Sequence, residues 1–181
     1  MTQKPAYIGL GSNCGDRVQA ISTALENLMV LEETRLTKVS SIYQTSPIGL
    51  TGGPFLNAVA RIETGLDPRK ILEAILGVET AMGRVRNNDR WESRIIDLDL
   101  LLHGNTTLEE EDLILPHPRM LGRRFVMEPL AELAPDMKVP PTGIIASEAA
   151  ALLKKNHPEQ EIKRLGTLQE VKANYELRIE N

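Results

Sequence analysis

The sequence predicts an α+β fold with a ferredoxin-like βαββαβ core, in which an antiparallel sheet carries both helices on one face and leaves the other face free for a ligand. Two observations predict this fold. The apolar residues follow the order strand, helix, strand, strand, helix, strand as far as Leu102, and both helical stretches place them at spacings of three and four. The length of 181 residues suits one domain with its own core.

The first strand is predicted at residues 6–10, a short apolar run that ends in the turn-forming residues 11–16. A helix follows because the next apolar residues share one helical face; they are Val18, Ile21, Leu25, Leu28 and Met29. Asp16 is predicted to cap that helix.

Residues 34–43 and 55–64 predict two further strands, since both are rich in β-branched residues and lack a helical stripe. Residues 44–54 between them contain three glycines and two prolines and are predicted to form a long loop. Asp67 followed by Pro68 predicts the start of the second helix, which we expect to end near Gly83.

The chain beyond the last core strand gives weaker signals. We expect a short strand near Thr106, a short helix over residues 125–133 and another over residues 144–155; the charged segment from Asn156 suits either an added helix or a frayed tail. Residues 1–140 are therefore predicted to form the core, and residues 141–181 a C-terminal helical extension of the same domain.

Composition limits the classes of partner. A net charge of -4 and a pI near 5.5 argue against a broad basic surface for nucleic acid or anionic lipid. Cys14 is the only cysteine, which excludes an internal disulfide and a cysteine-based zinc cluster. The first residues lack the pattern of a signal peptide, and no apolar run approaches the ~20 residues of a membrane helix. We expect a cytoplasmic protein.

The most informative motif is the pair Asp97 and Asp99 within the last core strand, residues 95–102. Alternate residues of a strand share a face, so the two carboxylates point the same way, while Ile96, Leu98, Leu100 and Leu102 face the core. Two carboxylates about 6.6 Å apart repel each other by roughly 2.5 kcal/mol at an effective dielectric of 20. Mg²⁺, which binds carboxylates and nucleotide phosphates together, is the cation that this pair suits best.

Clustered arginines strengthen that interpretation. Four precede the pair, at positions 84, 86, 90 and 94, and three follow it, at positions 119, 123 and 124. Arginine forks match phosphate oxygens, so arginines beside two aspartates favour a site for a magnesium-bound triphosphate. Two alternatives remain open: a solvated charge run, and a structural network in which the aspartates pair with the arginines. No P-loop or kinase glycine loop is present, and His117, held between two prolines, suits either a structural or a binding role.

Six segments in order resemble the hydroxymethyldihydropterin pyrophosphokinases: residues 7–13, 43–49, 55–58, 79–86, 90–101 and 115–126. The resemblance implies an enzyme of folate biosynthesis that transfers pyrophosphate from ATP to the hydroxymethyl group of 6-hydroxymethyl-7,8-dihydropterin and releases AMP. It implies ATP and a reduced pterin as the partners, with two Mg²⁺ ions bound together with ATP. Nucleic acid and membranes are not expected as partners. The protein is expected to be a monomer.

The resemblance also implies roles for particular residues. Asp97 and Asp99 would hold the Mg²⁺ ions, and Arg84, Arg94 and Arg123 would neutralise the triphosphate. Arg86, Trp91 and His117 would help to bind ATP. The pterin would be lined by Thr45, Ser46, Ile48 and Asn57 and would lie between the rings of Phe55 and Phe125, although the residues alone suit ordinary packing of both rings. The proton acceptor is left open between Asp97 and a water on the metal.

Two rival functions are a nucleic-acid module, disfavoured by the acidic composition and the missing aromatic sheet motif, and a ligand-sensing or oligomerising domain without catalysis. Only the enzyme requires ATP binding that depends on Mg²⁺.

Overall fold

The computed structural model describes residues 3–46, 53–84 and 94–179. The elements in chain order are β1 (Lys4–Ser12), α1 (Arg17–Met29), β2 (Thr34–Val39), β3 (Ile42–Thr45), β4 (Phe55–Thr64), α2 (Pro68–Ala81), β5 (Asp97–His103), β6 (Leu108–Glu109), β7 (Ile114–Leu115), α3 (Arg124–Leu133), β8 (Lys138–Val139), β9 (Ile144–Ile145), α4 (Ala146–Asn156), β10 (Ile162–Gly166) and α5 (Leu168–Ile179). A short 3-10 turn, Met120–Gly122, precedes α3.

The main sheet is antiparallel, with the order β10-β3-β4-β1-β5, and β2 pairs with β4 beside β3. Strands β2 and β3 thus follow successive parts of one partner strand and are separated only by Ser40 and Ser41. Ser40 bridges the gap, since its backbone N–H donates to Val59 O and its Oγ accepts from Val59 N, both at 2.9 Å. The predicted antiparallel sheet is confirmed.

One face of the sheet packs against α1 and α2 and forms the larger core cluster. Alternate residues of the central strands face this cluster, which is why the helices and strands carry period-matched apolar residues. Its central members include Ile8, Ile21, Ile62, Ile75 and Leu98. The predicted N-caps are confirmed, since Asp16 Oδ1 accepts from Gln19 N at 2.9 Å and Asp67 Oδ1 from Lys70 N at 3.0 Å.

The opposite face is only partly free, which corrects the expectation of an uncovered sheet. Helix α3 packs against one half of this face and α4 packs against α3, and both helices form a second core cluster with strand residues that include Tyr7, Val59 and Leu101. The short helix was expected, but its position was not, because which surface a helix covers is decided by tertiary contacts. The other half of the face carries Gly11, Asn57 and Asp97.

A β-bulge in β5 corrects the expectation that Leu102 faces the same side of the sheet as Leu98 and Leu100. The pairing of β5 with β1 shifts between Tyr7 and Ile8, so that Tyr7 is opposite Leu102 and Ile8 is opposite Leu100. Alternation therefore breaks at this point, and Leu102 lies in the second cluster with Leu101 rather than with Leu98 and Leu100.

The segment from Asn156 contributes strand β10 as well as helix α5. The exposed, charged residues of β10 gave no strand pattern, yet β10 pairs with β3 at the sheet edge. No helix in the described ranges is both long enough and apolar enough to span a membrane.

Candidate functional site

The acid pair lies at the open half of the second face. The register of β5 against β1 places Asp97 opposite Gly11 and Asp99 opposite Gly9. Both carboxylates therefore project from the same face, as the strand alternation predicted, and neither glycine has a side chain to cover them. The side chains of Asp97 and Asp99 are 27% and 40% exposed, so a ligand can reach them.

Two arginines hold the Asp97 carboxylate. Arg84 Nη1 donates to Asp97 Oδ1 at 2.6 Å, and Arg94 Nη1 donates to Asp97 Oδ2 at 2.9 Å. Arg84 follows α2 and Arg94 precedes β5, so two separate segments meet at one carboxylate. Ion pairs of this kind leave other guanidinium N–H groups available to phosphate oxygens.

Glu79 was not assigned a role from the sequence, although it holds Arg84, which in turn contacts Asp97. Its side chain is 1% exposed, Arg84 Nη1 donates to its Oε1, and the same oxygen accepts from Leu98 N at 2.7 Å. The sequence did contain a signal, because Glu79 occupies a core position of the apolar stripe of α2 at a spacing of four from Ile75. A buried carboxylate in such a stripe requires partners.

Asn13 is a second residue that sequence reasoning missed. Its side-chain Oδ1 accepts from Arg94 N at 2.7 Å, and its backbone N donates to Arg94 O at 3.1 Å. These bonds attach the start of the segment that carries Arg94 to the end of β1. No local pattern indicates this contact, since the two residues are far apart along the chain.

His117 lies beside Asp99, with 4.0 Å between Nε2 and Oδ2. Nδ1 of His117 accepts from Arg119 N at 3.3 Å, which leaves the proton of the neutral ring on Nε2, facing the carboxylate. Burial lowers the pKa of His117, with Asp99 opposing the shift, and burial together with the charge of Asp97 raises the pKa of Asp99.

Arg123 completes the basic side of the site. Burial and then the charge of Arg119 lower the pKa of Arg123, while Asp99 and Asp97 act in the opposite direction, so Arg123 lies within electrostatic range of both acids. Its guanidinium also stands 5.4 Å from the centroid of the Phe125 ring. By contrast, the neighbouring Arg124 is buried against Glu128 and Gln160 and has a structural role.

The predicted pterin residues lie on the other side of Gly11. Asn57 pairs with Gly11 across β4 and β1, and its Nδ2 donates to Thr45 Oγ1 at 3.0 Å. Both Asn57 and Thr45 are buried. A side chain at Gly11 would fill the space here, since its Cβ would stand 3.4 Å from Asn57 Oδ1.

The remaining predicted pterin residues are less closely gathered. Phe55 is half-buried at the start of β4, opposite Thr45. Phe125 packs at the edge of the second core cluster. Ser46 is exposed, and its Oγ donates to Glu161 Oε2 at 3.2 Å. Three predicted site residues, Ile48, Arg86 and Trp91, lie outside the described residues.

The acid pair fits Mg²⁺ by its chemistry. Within residues 3–46, 53–84 and 94–179, no group of three or more His, Cys, Asp or Glu side chains could hold a metal by itself. Mg²⁺ does not need one, because it commonly binds one or two carboxylates and completes its shell with water and substrate phosphates. Asp97 and Asp99 supply two such carboxylates, and their mutual repulsion, which helps to raise the pKa of Asp99, is what a divalent cation would relieve.

Comparison with known proteins decides the family. Residues 7–135 match the sequence model of the 7,8-dihydro-6-hydroxymethylpterin-pyrophosphokinase family, or HPPK family. The chain belongs to this family. The resemblance inferred from the sequence is thereby confirmed, and so are the enzyme class and pyrophosphoryl transfer to the hydroxymethyl group of the dihydropterin in folate biosynthesis, with ATP as co-substrate.

Curated HPPK relatives match over most of the chain. The 2-amino-4-hydroxy-6-hydroxymethyldihydropteridine pyrophosphokinase of Haemophilus influenzae is 43% identical over 141 residues, 77% of this chain and 88% of the relative. The enzyme of the same name from Bacillus subtilis is 46% identical over 129 residues, 71% of this chain and 77% of the relative.

A solved structure described as HPPK-DHPS in complex with substrates supports the fold. It superposes with a TM-score of 0.74 at 13% identity over 91% of this chain. The chain spans about half of that longer protein, at 47% of its length. This likeness bears on the fold alone.

Proposed function

We propose that the open half of the second sheet face is the active site of this HPPK, with the ATP phosphates over Asp97 and the pterin over Asn57. The hydroxymethyl oxygen would attack the β-phosphorus of ATP in line. A new O–P bond forms as the hydroxymethyl proton passes to water, the bond between the β-phosphorus and the α,β-bridging oxygen breaks, and AMP leaves.

One observation carries this proposal: Asp97, Gly11 and Asn57 form a row across three adjacent strands. Neighbouring strands lie about 4.8 Å apart, so the acid side and the amide side of the row are about 10 Å apart. This distance allows a triphosphate and a flat ring to lie side by side with the hydroxymethyl group between them. Gly11 leaves that central position open.

On the phosphate side, positive charge is the main contribution of the chain. Arg84 and Arg94 already converge on Asp97, and Arg123 interacts electrostatically with both acids. We propose that these three arginines neutralise the triphosphate and the charge that develops at the β-phosphorus, which is how phosphoryl-transfer enzymes gain most of their rate. His117, with its Nε2 proton facing the site, would bind ATP, as Arg86 and Trp91 are predicted to do.

We propose that Asp97 and Asp99 hold Mg²⁺, with two ions as the expected number. When bound, the metal supplies charge stabilisation to the phosphate oxygens. Each oxygen of Asp97 accepts one hydrogen bond from an arginine, so bound Mg²⁺ would use the remaining lone pairs of the carboxylate.

On the pterin side, the buried pair Asn57 and Thr45 supports recognition of the ring edge by hydrogen bonds. Phe55 and Phe125 would contact the faces of the ring. Arg123 already stands over the ring of Phe125, which would bring phosphate binding and ring binding together. Ser46 and Ile48 complete the predicted set.

The strand order supports naming the core ferredoxin-like, because β1 lies between β5 and β4, and β2 and β3 lie outside β4. The division at residue 140, the monomeric state and the cytoplasmic location stay predictions.

Product identity tests the reaction. The protein is incubated with ATP, Mg²⁺ and 6-hydroxymethyl-7,8-dihydropterin, and the nucleotide product is separated by chromatography. The proposal expects AMP in equal amount to pyrophosphorylated pterin, and neither product without Mg²⁺. Formation of ADP would show transfer of a single phosphoryl group instead.

A further inference from the structure

The C-terminal helix α5 reaches the pterin side of the site through one arginine. Arg17, the first residue of α1, donates from Nη2 to the hydroxyl of Tyr175 in α5 at 2.8 Å. The same guanidinium donates from Nη1 to the backbone oxygen of Pro54 at 2.5 Å. Pro54 directly precedes Phe55, so the guanidinium of Arg17 links α5 to the start of β4 by two hydrogen bonds.

Strand β10 contacts the end of β3, which lies opposite the start of β4. Ile162 pairs with Thr45 at the end of β3, and Thr45 in turn accepts from Asn57. The preceding residue, Glu161, accepts from Ser46. The C-terminal segment thus contacts β3 and β4 just where their predicted pterin residues lie.

Helix α5 is anchored well enough to act as a support. Val171 is 4% exposed within the larger core cluster, and Tyr175 packs against the same cluster. Lys172 Nζ donates to Ser22 Oγ of α1 at 2.5 Å. This last contact joins α5 to α1 without involving Pro54, which makes it a matched control.

We propose that Arg17 and Tyr175 are positioning residues for pterin binding: together they fix the carbonyl of Pro54 and hence the ring of Phe55. Neither side chain needs to touch substrate. The inference rests on the proposed assignment of Phe55 to the pterin site, and it gives the C-terminal extension a role in the reaction beyond packing.

The test compares Arg17→Gln, Tyr175→Phe and the double variant with the control Lys172→Met in the full-length protein. Each is assayed for AMP formation, with pterin varied at saturating ATP and Mg²⁺, and then with ATP varied at saturating pterin. Thermal unfolding is followed in parallel. Tyr175→Phe removes one hydroxyl and keeps the packed ring, so it tests the inference even if Arg17→Gln does not fold.

We expect Arg17→Gln and Tyr175→Phe to raise the KM for pterin about three- to tenfold while kcat and the KM for ATP stay close to the wild-type values. The double variant should be no worse than Arg17→Gln alone, because both changes interrupt one path. Lys172→Met should leave the KM for pterin unchanged.

An unchanged KM for pterin in Tyr175→Phe would overturn the inference, as would effects of the two single variants that multiply in the double variant. Equal rises in the KM for ATP and for pterin would also contradict it, since they would indicate a general structural role. These outcomes differ from failure of the proposed function, in which the wild-type protein itself would form no AMP.

Discussion

Asn13 and Arg94 are joined by two hydrogen bonds that close a ring, one from Arg94 N to Asn13 Oδ1 at 2.7 Å and one from Asn13 N to Arg94 O at 3.1 Å. Asn13 is 7% exposed, so its amide is fixed by its surroundings. These bonds fix the backbone of Arg94, and its side chain extends from there to Asp97. Asn13 therefore positions Arg94, one of the arginines that we propose for the phosphate side.

Asn13→Ala should lower kcat/KM for ATP by about tenfold, because the backbone of Arg94 loses a hydrogen bond and its guanidinium is then less well positioned. Steady-state kinetics with ATP varied would measure it. Asn105→Ala, at an exposed turn residue, is the control and should have wild-type kinetics. Wild-type kinetics for Asn13→Ala would show that Arg94 is positioned without this ring.

Glu79→Ala should destabilise the protein by about 3 kcal/mol, since it leaves Arg84 and Leu98 N short of a buried acceptor. Glu79→Gln keeps an acceptor for Leu98 N and should cost less, about 1 to 2 kcal/mol. Urea unfolding measures both. Glu73→Ala, on the exposed face of the same helix, should change the free energy of unfolding by less than about 0.5 kcal/mol. A cost for Glu79→Ala as small as that of Glu73→Ala would contradict the role given to Glu79.

Gly11→Ala tests the open position between the two substrate sides. The new Cβ would stand 3.4 Å from Asn57 Oδ1 and 4.0 Å from Asp97 Cβ, so the fold should accept it while the substrate space narrows. We expect kcat/KM for pterin to fall about tenfold or more. Gly77→Ala in α2 meets no atom within 4 Å and should instead stabilise the protein by about 0.5 to 1 kcal/mol without a kinetic effect. Wild-type activity of Gly11→Ala would place the reacting groups elsewhere.

Glu132 gives a prediction for pH. Burial alone would raise its pKa, but hydrogen bonds from Tyr43 OH at 2.7 Å and from Ser41 N and Oγ outweigh burial and lower it. A lowered folded-state pKa means that the stabilisation is complete above the unfolded value near 4.5 and is lost as the pH falls through the folded value. In Glu132→Gln, the free energy of unfolding should therefore fall less steeply than in the wild type as the pH decreases below about 4.5. Urea unfolding of both proteins across the acid range would measure this, and equal slopes would contradict it.

Local patterns in the sequence predicted the parts of the site that depend on neighbouring residues. Strand alternation alone placed Asp97 and Asp99 on one face, and local capping chemistry placed the starts of α1 and α2. Contacts between distant segments had no such signal. Asn13 meets Arg94 only after β1 and β5 have paired, and the carboxylate of Glu79 reaches Leu98 N only after α2 has packed on the sheet.

The bulge in β5 and the strand β10 could not be predicted either, because both depend on pairing between distant segments. The bulge that moves Leu102 to the second core cluster is a property of the β1 and β5 pairing, not of either strand alone. Strand β10 carries the exposed charged residues Lys163 and Arg164, as suits an edge strand that is held by pairing with β3.

The role of Asp97 and Asp99 in catalysis is tested most directly by AMP formation in the double variant Asp97→Asn with Asp99→Asn. With the wild-type fold verified by circular dichroism, and with Asp112→Asn at the exposed partner of Arg69 as control, AMP formation is measured at saturating ATP, pterin and Mg²⁺. We expect a loss of about a thousandfold or more in kcat for the double variant and wild-type turnover for the control. Normal turnover by the folded double variant would contradict the assignment of this acid pair to catalysis.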